Sequence, residues 1–108
     1  MKAFSINIYC GLREGYSKEE HSLQDVYEIC QYFCDNVGLC VTVTPTSYIY
    51  VNGGENGCII GILNYPRFPK TKKELVNHAL NLIDILKVKL KQIRISYTVD
   101  DKIYMVGE

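Results

Sequence analysis

The chain reads as an α+β domain of the ferredoxin-like kind: a β-α-β-β-α-β antiparallel sheet with two helices on one face and an extra C-terminal hairpin strand. Three observations predict this. Apolar residues alternate with polar ones near both ends of the chain. Two capped stretches carry apolar residues at three- and four-residue steps. Between those stretches, segments rich in Val, Thr, Ile and Tyr are joined by a glycine-rich turn. At 108 residues and 47% hydrophobic, the whole of 1–108 suits a single domain with one core.

From Ala3 to Cys10, Phe4, Ile6, Ile8 and Cys10 alternate with Ser5, Asn7 and Tyr9, the pattern of a half-buried strand. Gly11 to His21 has no sustained period and reads as a loop. Ser22 with Asp25 forms a capping box. Leu23, Val26, Tyr27, Cys30, Phe33, Cys34 and Val37 then mark one helical stripe, which Gly38 ends as a left-handed C-cap.

Leu39 to Thr44 and Ser47 to Val51 read as a strand interrupted at Pro45, which cannot donate to a ladder, so an edge strand or a bulge is expected there. Asn52 to Gly57 reads as the turn of a hairpin whose returning strand is Cys58 to Tyr65. That strand carries Ile59 and Leu63 on one face and Cys58, Ile60 and Ile62 on the other, so both faces need cover. Asn64 to Pro69 is a loop stiffened by two prolines.

Thr71 and Glu74 form a second capping box, followed by a helix whose buried side is Leu75, Val76, Ala79, Leu82, Ile83, Leu86 and Leu90. Ile93 to Val99 alternates again. Asp100-Asp101 turns the chain into a last strand, Lys102 to Val106.

Twelve basic and twelve acidic side chains cancel to a formal charge of +0, which supplies no long-range field for gathering DNA or an anionic membrane. A long nucleic acid is therefore not an expected partner. No apolar run approaches the ~20 residues that span a bilayer, and the N-terminus lacks a signal-peptide pattern, so a cytoplasmic location is expected. Five cysteines, an odd number, fall within apolar patterns as reduced structural thiols do. Neither a metal site nor a cofactor is expected: Cys30-x-x-x-Cys34 is not a CxxC pair, and the Asn52 to Gly57 loop lacks the Lys and Ser/Thr of a P-loop.

Candidate ligand-binding residues lie in two loops. Arg13 stands beside Gly11, Gly15 and Tyr16, and Arg67 stands beside Asn64, Tyr65 and Phe68. A guanidinium forks two hydrogen bonds to a carboxylate or phosphate, and a tyrosine ring can stack on a base, so Arg13, Tyr16, Asn64, Tyr65 and Arg67 suit a small anionic, nucleotide-like ligand. Tyr9 falls on the helix-free face. The two loops leave opposite ends of neighbouring antiparallel strands. A shared pocket would then form between subunits of a homodimer or higher oligomer, as the doubly apolar third strand also suggests. His21 and His78 lie in no recognisable catalytic motif, and no catalytic residue is assigned.

The segments Gly11-Leu12-Arg13-Glu14-Gly15-Tyr16, Val37 to Thr46 and Asn64-Tyr65-Pro66-Arg67-Phe68-Pro69 together resemble small uncharacterised proteins encoded by bacteriophages and other mobile elements. By analogy with sponges that sequester nucleotide immune signals of bacterial hosts, the expected function is a non-enzymatic oligomer that captures a small anionic, cyclic-nucleotide-like ligand in the host cytoplasm. An enzyme is the less expected outcome. Two alternatives stand beside it: a protein-interaction module that binds a host or viral partner through the open sheet face, and a small enzyme with a ferredoxin-like cleft and His21 as acid or base.

Overall fold

The computed structural model describes residues 5–67 and 69–107. Two readings fall partly outside them: the start of the first strand at Ala3 and Phe4, and Phe68 in the proline loop. The elements run β1 (Ile6–Gly11), α1 (Leu23–Val37), β2 (Cys40–Tyr50), β3 (Gly53–Leu63), α2 (Lys72–Lys89), β4 (Arg94–Val99) and β5 (Lys102–Gly107).

Both helices start where their caps dictate. The Ser22 hydroxyl accepts the Asp25 N–H at 3.3 Å while the Ser22 N–H donates to Asp25 Oδ2 at 3.1 Å. Thr71 and Glu74 repeat the arrangement at 3.1 Å in both directions. Gly38, at φ 70°, closes α1 in the left-handed region that glycine occupies without a steric penalty.

The sheet order is β2-β3-β1-β4-β5, with every pair antiparallel. Each helix therefore joins two parallel strands that have a third strand between them: α1 leads from β1 to β2 around β3, and α2 leads from β3 to β4 around β1. The register puts Ile6, Ile8 and Cys10 on the same face as Ile62, Ile60 and Cys58. That face forms one core with Val26, Cys30 and Phe33 of α1 and with Leu75, Ala79, Leu82, Ile83 and Leu86 of α2. Each fully buried Leu or Ile contributes about 1.5–3 kcal/mol relative to exposure, so this shared face fixes the register.

Three boundaries differ from the sequence reading. β2 runs through Pro45 without a break, because β2 is the sheet's edge and the missing N–H costs a ladder nothing on its outer side. β3 begins at Gly53 rather than Cys58, so most of the expected turn is paired strand, and it ends at Leu63. Gly11 to His21 is not patternless, as described below. On the helix-free face of β3, Ile59 is half-buried, Gly61 buried and Leu63 44% exposed.

Candidate active site

β1 stops at Gly11, whose cross-strand partner is Gly57. The β2–β3 ladder continues past that point to Tyr50 and Gly53, leaving the outer hairpin without β1 beside it. The chain after β1 fills part of that space by folding into a short flap. The His21 N–H donates to the Leu12 carbonyl at 2.8 Å, Arg13 and Glu20 form a β-bridge, and the Glu14 N–H donates to the Glu19 carbonyl at 2.8 Å. Backbone pairing needs no side-chain period, which is why sequence alternation did not reveal it. The flap is held on two sides. Leu12 N–H donates to the Asn56 carbonyl and Asn56 Nδ2 to Glu20 Oε1, while Gly15 N–H donates to the Lys91 carbonyl.

Between flap, hairpin and the α2–β4 connection lies a cavity of about 370 Å³. The flap contributes Arg13, Gly15 and Tyr16, the hairpin Tyr48, Tyr50 and Glu55, and the chain entering β4 Gln92, Ile93 and Arg94. Glu55 is the one carboxylate among these lining residues.

Glycine 11 is what lets the polar groups meet. A Cβ there would lie 2.8 Å from Glu55 Oε2 and 3.1 Å from Gln92 Oε1, so both oxygens converge over the bare backbone. Gln92 is oriented by its own amide, whose Nε2 donates to the Arg13 carbonyl at 2.7 Å and to the Leu90 carbonyl at 3.1 Å. With both N–H groups engaged, its oxygen is left over Gly11, where Glu55 Oε2 also lies. Arg13 donates from a terminal nitrogen to the Tyr50 hydroxyl at 3.1 Å. Its Nε is buried with no hydrogen-bond partner among the described residues.

Tyr48 stands directly opposite Glu55 in the ladder, and its hydroxyl donates to the Cys58 carbonyl at 2.6 Å. Burial pushes the Tyr48 phenol up from its ordinary range, so it stays a neutral donor. Tyr16, at the flap tip, is 85% exposed.

Arg13 and Tyr16 thus line this cavity. Asn64, Tyr65 and Arg67 follow the far end of β3, since Ile62 pairs with Ile6 while Gly57 pairs with Gly11. Tyr65 lines a different hollow with Tyr27, Cys34 and Cys40. A single chain does not bring the two loops together. His21 lies outside the cavity, its ring nitrogens facing Glu14 and Asp25. Sequence reasoning gave no site role to Glu55, Gln92, Tyr48, Tyr50 or Arg94, all of which line the cavity.

The cavity is thus a hollow of mixed charge, walled by aromatic rings, at the end of an open antiparallel sheet. No protein-family model matches the chain, and no curated relative matches it. Two solved structures do. One is a phage SAM lyase in complex with S-methyl-5'-thioadenosine, at 17% identity and a TM-score of 0.76, covering 98% of this chain and 90% of that one. The other is a phage SAM lyase in the apo state, at 15% identity and a TM-score of 0.76, covering 97% of this chain and 89% of that one. At these identities the likeness shows the fold.

The solved structures correct two expectations. Proteins that share this fold over nearly its whole length are enzymes, so neither the non-enzymatic ligand sponge nor the preference against catalysis stands. The sponge expectation rested on the arginine and tyrosine loops and an analogy with phage sponges, and the preference against catalysis on the lack of a recognisable histidine, serine or cysteine motif.

Proposed function

We propose that the chain is a phage-encoded lyase of ferredoxin-like topology that cleaves S-adenosylmethionine to S-methyl-5'-thioadenosine. The carrying observation is the pair of oxygens, Glu55 Oε2 and Gln92 Oε1, converging over Gly11 in a cavity whose other walls are tyrosines and arginines. The likeness to a lyase with bound S-methyl-5'-thioadenosine supports the reading.

The substrate carries an ammonium, a carboxylate, a sulfonium and an adenine, and the site has a counterpart for each. Two convergent acceptors suit the ammonium, which has only hydrogens to give. The Arg13 guanidinium suits the carboxylate, with its Nε still to be satisfied. Tyrosine faces attract a cation held over them and stack on a base, so Tyr16 and Tyr50 suit the sulfonium and the adenine.

Cleavage breaks the bond between sulfur and the aminobutyryl chain, and the electron pair leaves with sulfur as neutral thioether. No water enters. The carbon fragment balances either by bonding its own carboxylate oxygen to that carbon or by losing a neighbouring proton to a base, and the fragment's identity tells the two apart. Holding the ammonium and carboxylate fixes the chain conformation in either case, which is catalysis by positioning.

The test is incubation with S-adenosylmethionine and chromatography for S-methyl-5'-thioadenosine. Product should accumulate with the wild-type chain, and Glu55→Gln should slow it roughly 100-fold, the loss of one charge-assisted contact of ~2–3 kcal/mol. No product, together with no heat of binding, would overturn the reading.

A second reading concerns partners. On the helix-free face Leu63, Ile103 and Met105 are exposed, Ile103 in the cross-strand row of Thr98, Asn7 and Gly61 and Met105 in the row of Ser96, Tyr9 and Ile59. Such apolar positions favour self-association of the chain through that face. Sedimentation at high concentration checks it, and a lone monomer removes it.

A further inference from the structure

His21 takes no part in the cavity, yet its ring is about four-fifths buried and meets a carboxylate at each nitrogen. Nε2 lies 2.8 Å from Glu14 Oε1, with side chains 20% and 23% exposed, and Nδ1 lies 3.5 Å from Asp25 Oδ2. The two carboxylates belong to different parts of the fold. Asp25 is the capping-box residue of α1, where the same Oδ2 accepts the Ser22 N–H. Glu14 is in the first arm of the flap, paired with Glu19.

Glu14 follows Arg13, and neighbouring side chains on an extended arm point to opposite faces. One face of the flap therefore reaches the cavity through Arg13, and the other reaches α1 through Glu14 and His21. We infer that His21 is a positioning residue: by holding Glu14 against the capped start of α1, it sets where Arg13 and Tyr16 stand over the cavity. This rests on the reading of that cavity as the substrate site.

Other contacts hold the flap from the far side, at Asn56 and Lys91, at Gln92, which donates to the Arg13 carbonyl, and at Tyr50, which accepts from Arg13. None of them touches Glu14's side chain, so the histidine supplies a constraint they do not duplicate. The groove beyond the ring is lined by Glu28, Tyr32 and Lys89, and it offers His21 solvent-facing groups rather than a second anchor of the flap.

Two measurements on the full chain test the inference. Amide hydrogen exchange reads the flap directly at Glu14, Gly15 and Ser17, whose N–H groups are all bonded in the closed form. Steady-state kinetics with S-adenosylmethionine reads its consequence. His21→Ala and Glu14→Ala should each speed exchange at those amides about tenfold, the effect of one lost, largely buried contact between the ring and a charged group, with exchange in β1 and β3 unchanged. KM should rise by a similar factor while kcat stays within about twofold. Glu14→Gln keeps a polar oxygen at the same reach beside Nε2 and should restore both readouts.

Unchanged flap exchange in both alanine variants would overturn the inference, as would faster exchange with no change in KM. If the wild-type chain forms no S-methyl-5'-thioadenosine, the reading of the cavity fails, and exchange alone then decides whether His21 holds the flap.

Discussion

Gly11 and Gly57 are direct partners at the end of the β1–β3 ladder, and the missing side chain serves a different purpose at each. At Gly57 a Cβ would overlap the Tyr48 ring and the Cys10 carbonyl oxygen, so part of the obstacle is backbone. At Gly11 the atoms in the way are the tips of Glu55 and Gln92. Gly57→Ala is expected to destabilise the fold by about 1–3 kcal/mol, seen as a lower urea midpoint. Gly11→Ala is expected to hold the midpoint near wild type and to cut turnover at least as far as Glu55→Gln does, because the two oxygens must part. Equal midpoints for the two variants would contradict this division.

Cys10 and Cys58 also face each other across β1 and β3; the interaction between the two thiols, together with burial, pushes Cys10 up, and the same interaction draws Cys58 down against the opposing effect of its burial. Burial pushes Cys30 up to about 12. A thiol whose folded value lies above its unfolded one, near 9, contributes stability that is complete below that unfolded value and disappears as pH climbs toward 12. Tyr48, raised by burial, acts in the same direction above pH ~10. The urea midpoint should therefore fall steadily from about pH 9 upward, and a flat midpoint to pH 11 would show that these groups ionise in the folded chain.

Accessibility divides the five thiols of the chain. Cys10, Cys30 and Cys58 are buried, whereas Cys34 and Cys40 are only half-buried. A maleimide at pH 8 should modify Cys34 and Cys40 in the native protein and reach the other three only in denaturant, as peptide mass mapping would report. Early labelling of Cys58 would mean that the hairpin opens more readily than the core allows.

Tyr50 presents its hydroxyl to Arg13 at 3.1 Å, so the two should act together. Arg13→Ala is expected to raise KM for S-adenosylmethionine about tenfold, the cost of one charged hydrogen bond. Tyr50→Phe should give a smaller rise, and the double variant Arg13→Ala/Tyr50→Phe should add little to the first alone. Strict additivity would mean that the two side chains serve the substrate independently.

Both helices were legible in the sequence because their signals are local: Ser22 with Asp25, Thr71 with Glu74 and apolar residues at helical spacing survive any tertiary context. β1 and β4 were legible by alternation for the same reason. The hairpin was not. Gly53 and Gly57 look like turn residues, but each makes room for a tyrosine ring, Tyr50 at Gly53 and Tyr48 at Gly57, a use of glycine that depends on the cross-strand partner. Glu55 was hidden inside that apparent turn. Gln92 could not be singled out either, since its orientation comes from the carbonyls of Leu90 and Arg13. Arg13 and Tyr16, singled out because a guanidinium among glycines and an aromatic is a local pattern, both line the cavity. Their distance from Asn64, Tyr65 and Arg67 follows from strand direction alone.

The ladder beyond Gly11 and Gly57 has a consequence for how the molecule breathes. Residues from Ser47 to Asn56 pair only with each other and lean on the flap, so this end can detach in a sub-global opening while the five-stranded centre stays shut. Occupancy of the cavity would bridge the cantilevered hairpin to the rest of the protein. Its thermodynamic signature would be protection concentrated at one extremity, with only a modest rise in the global melting temperature.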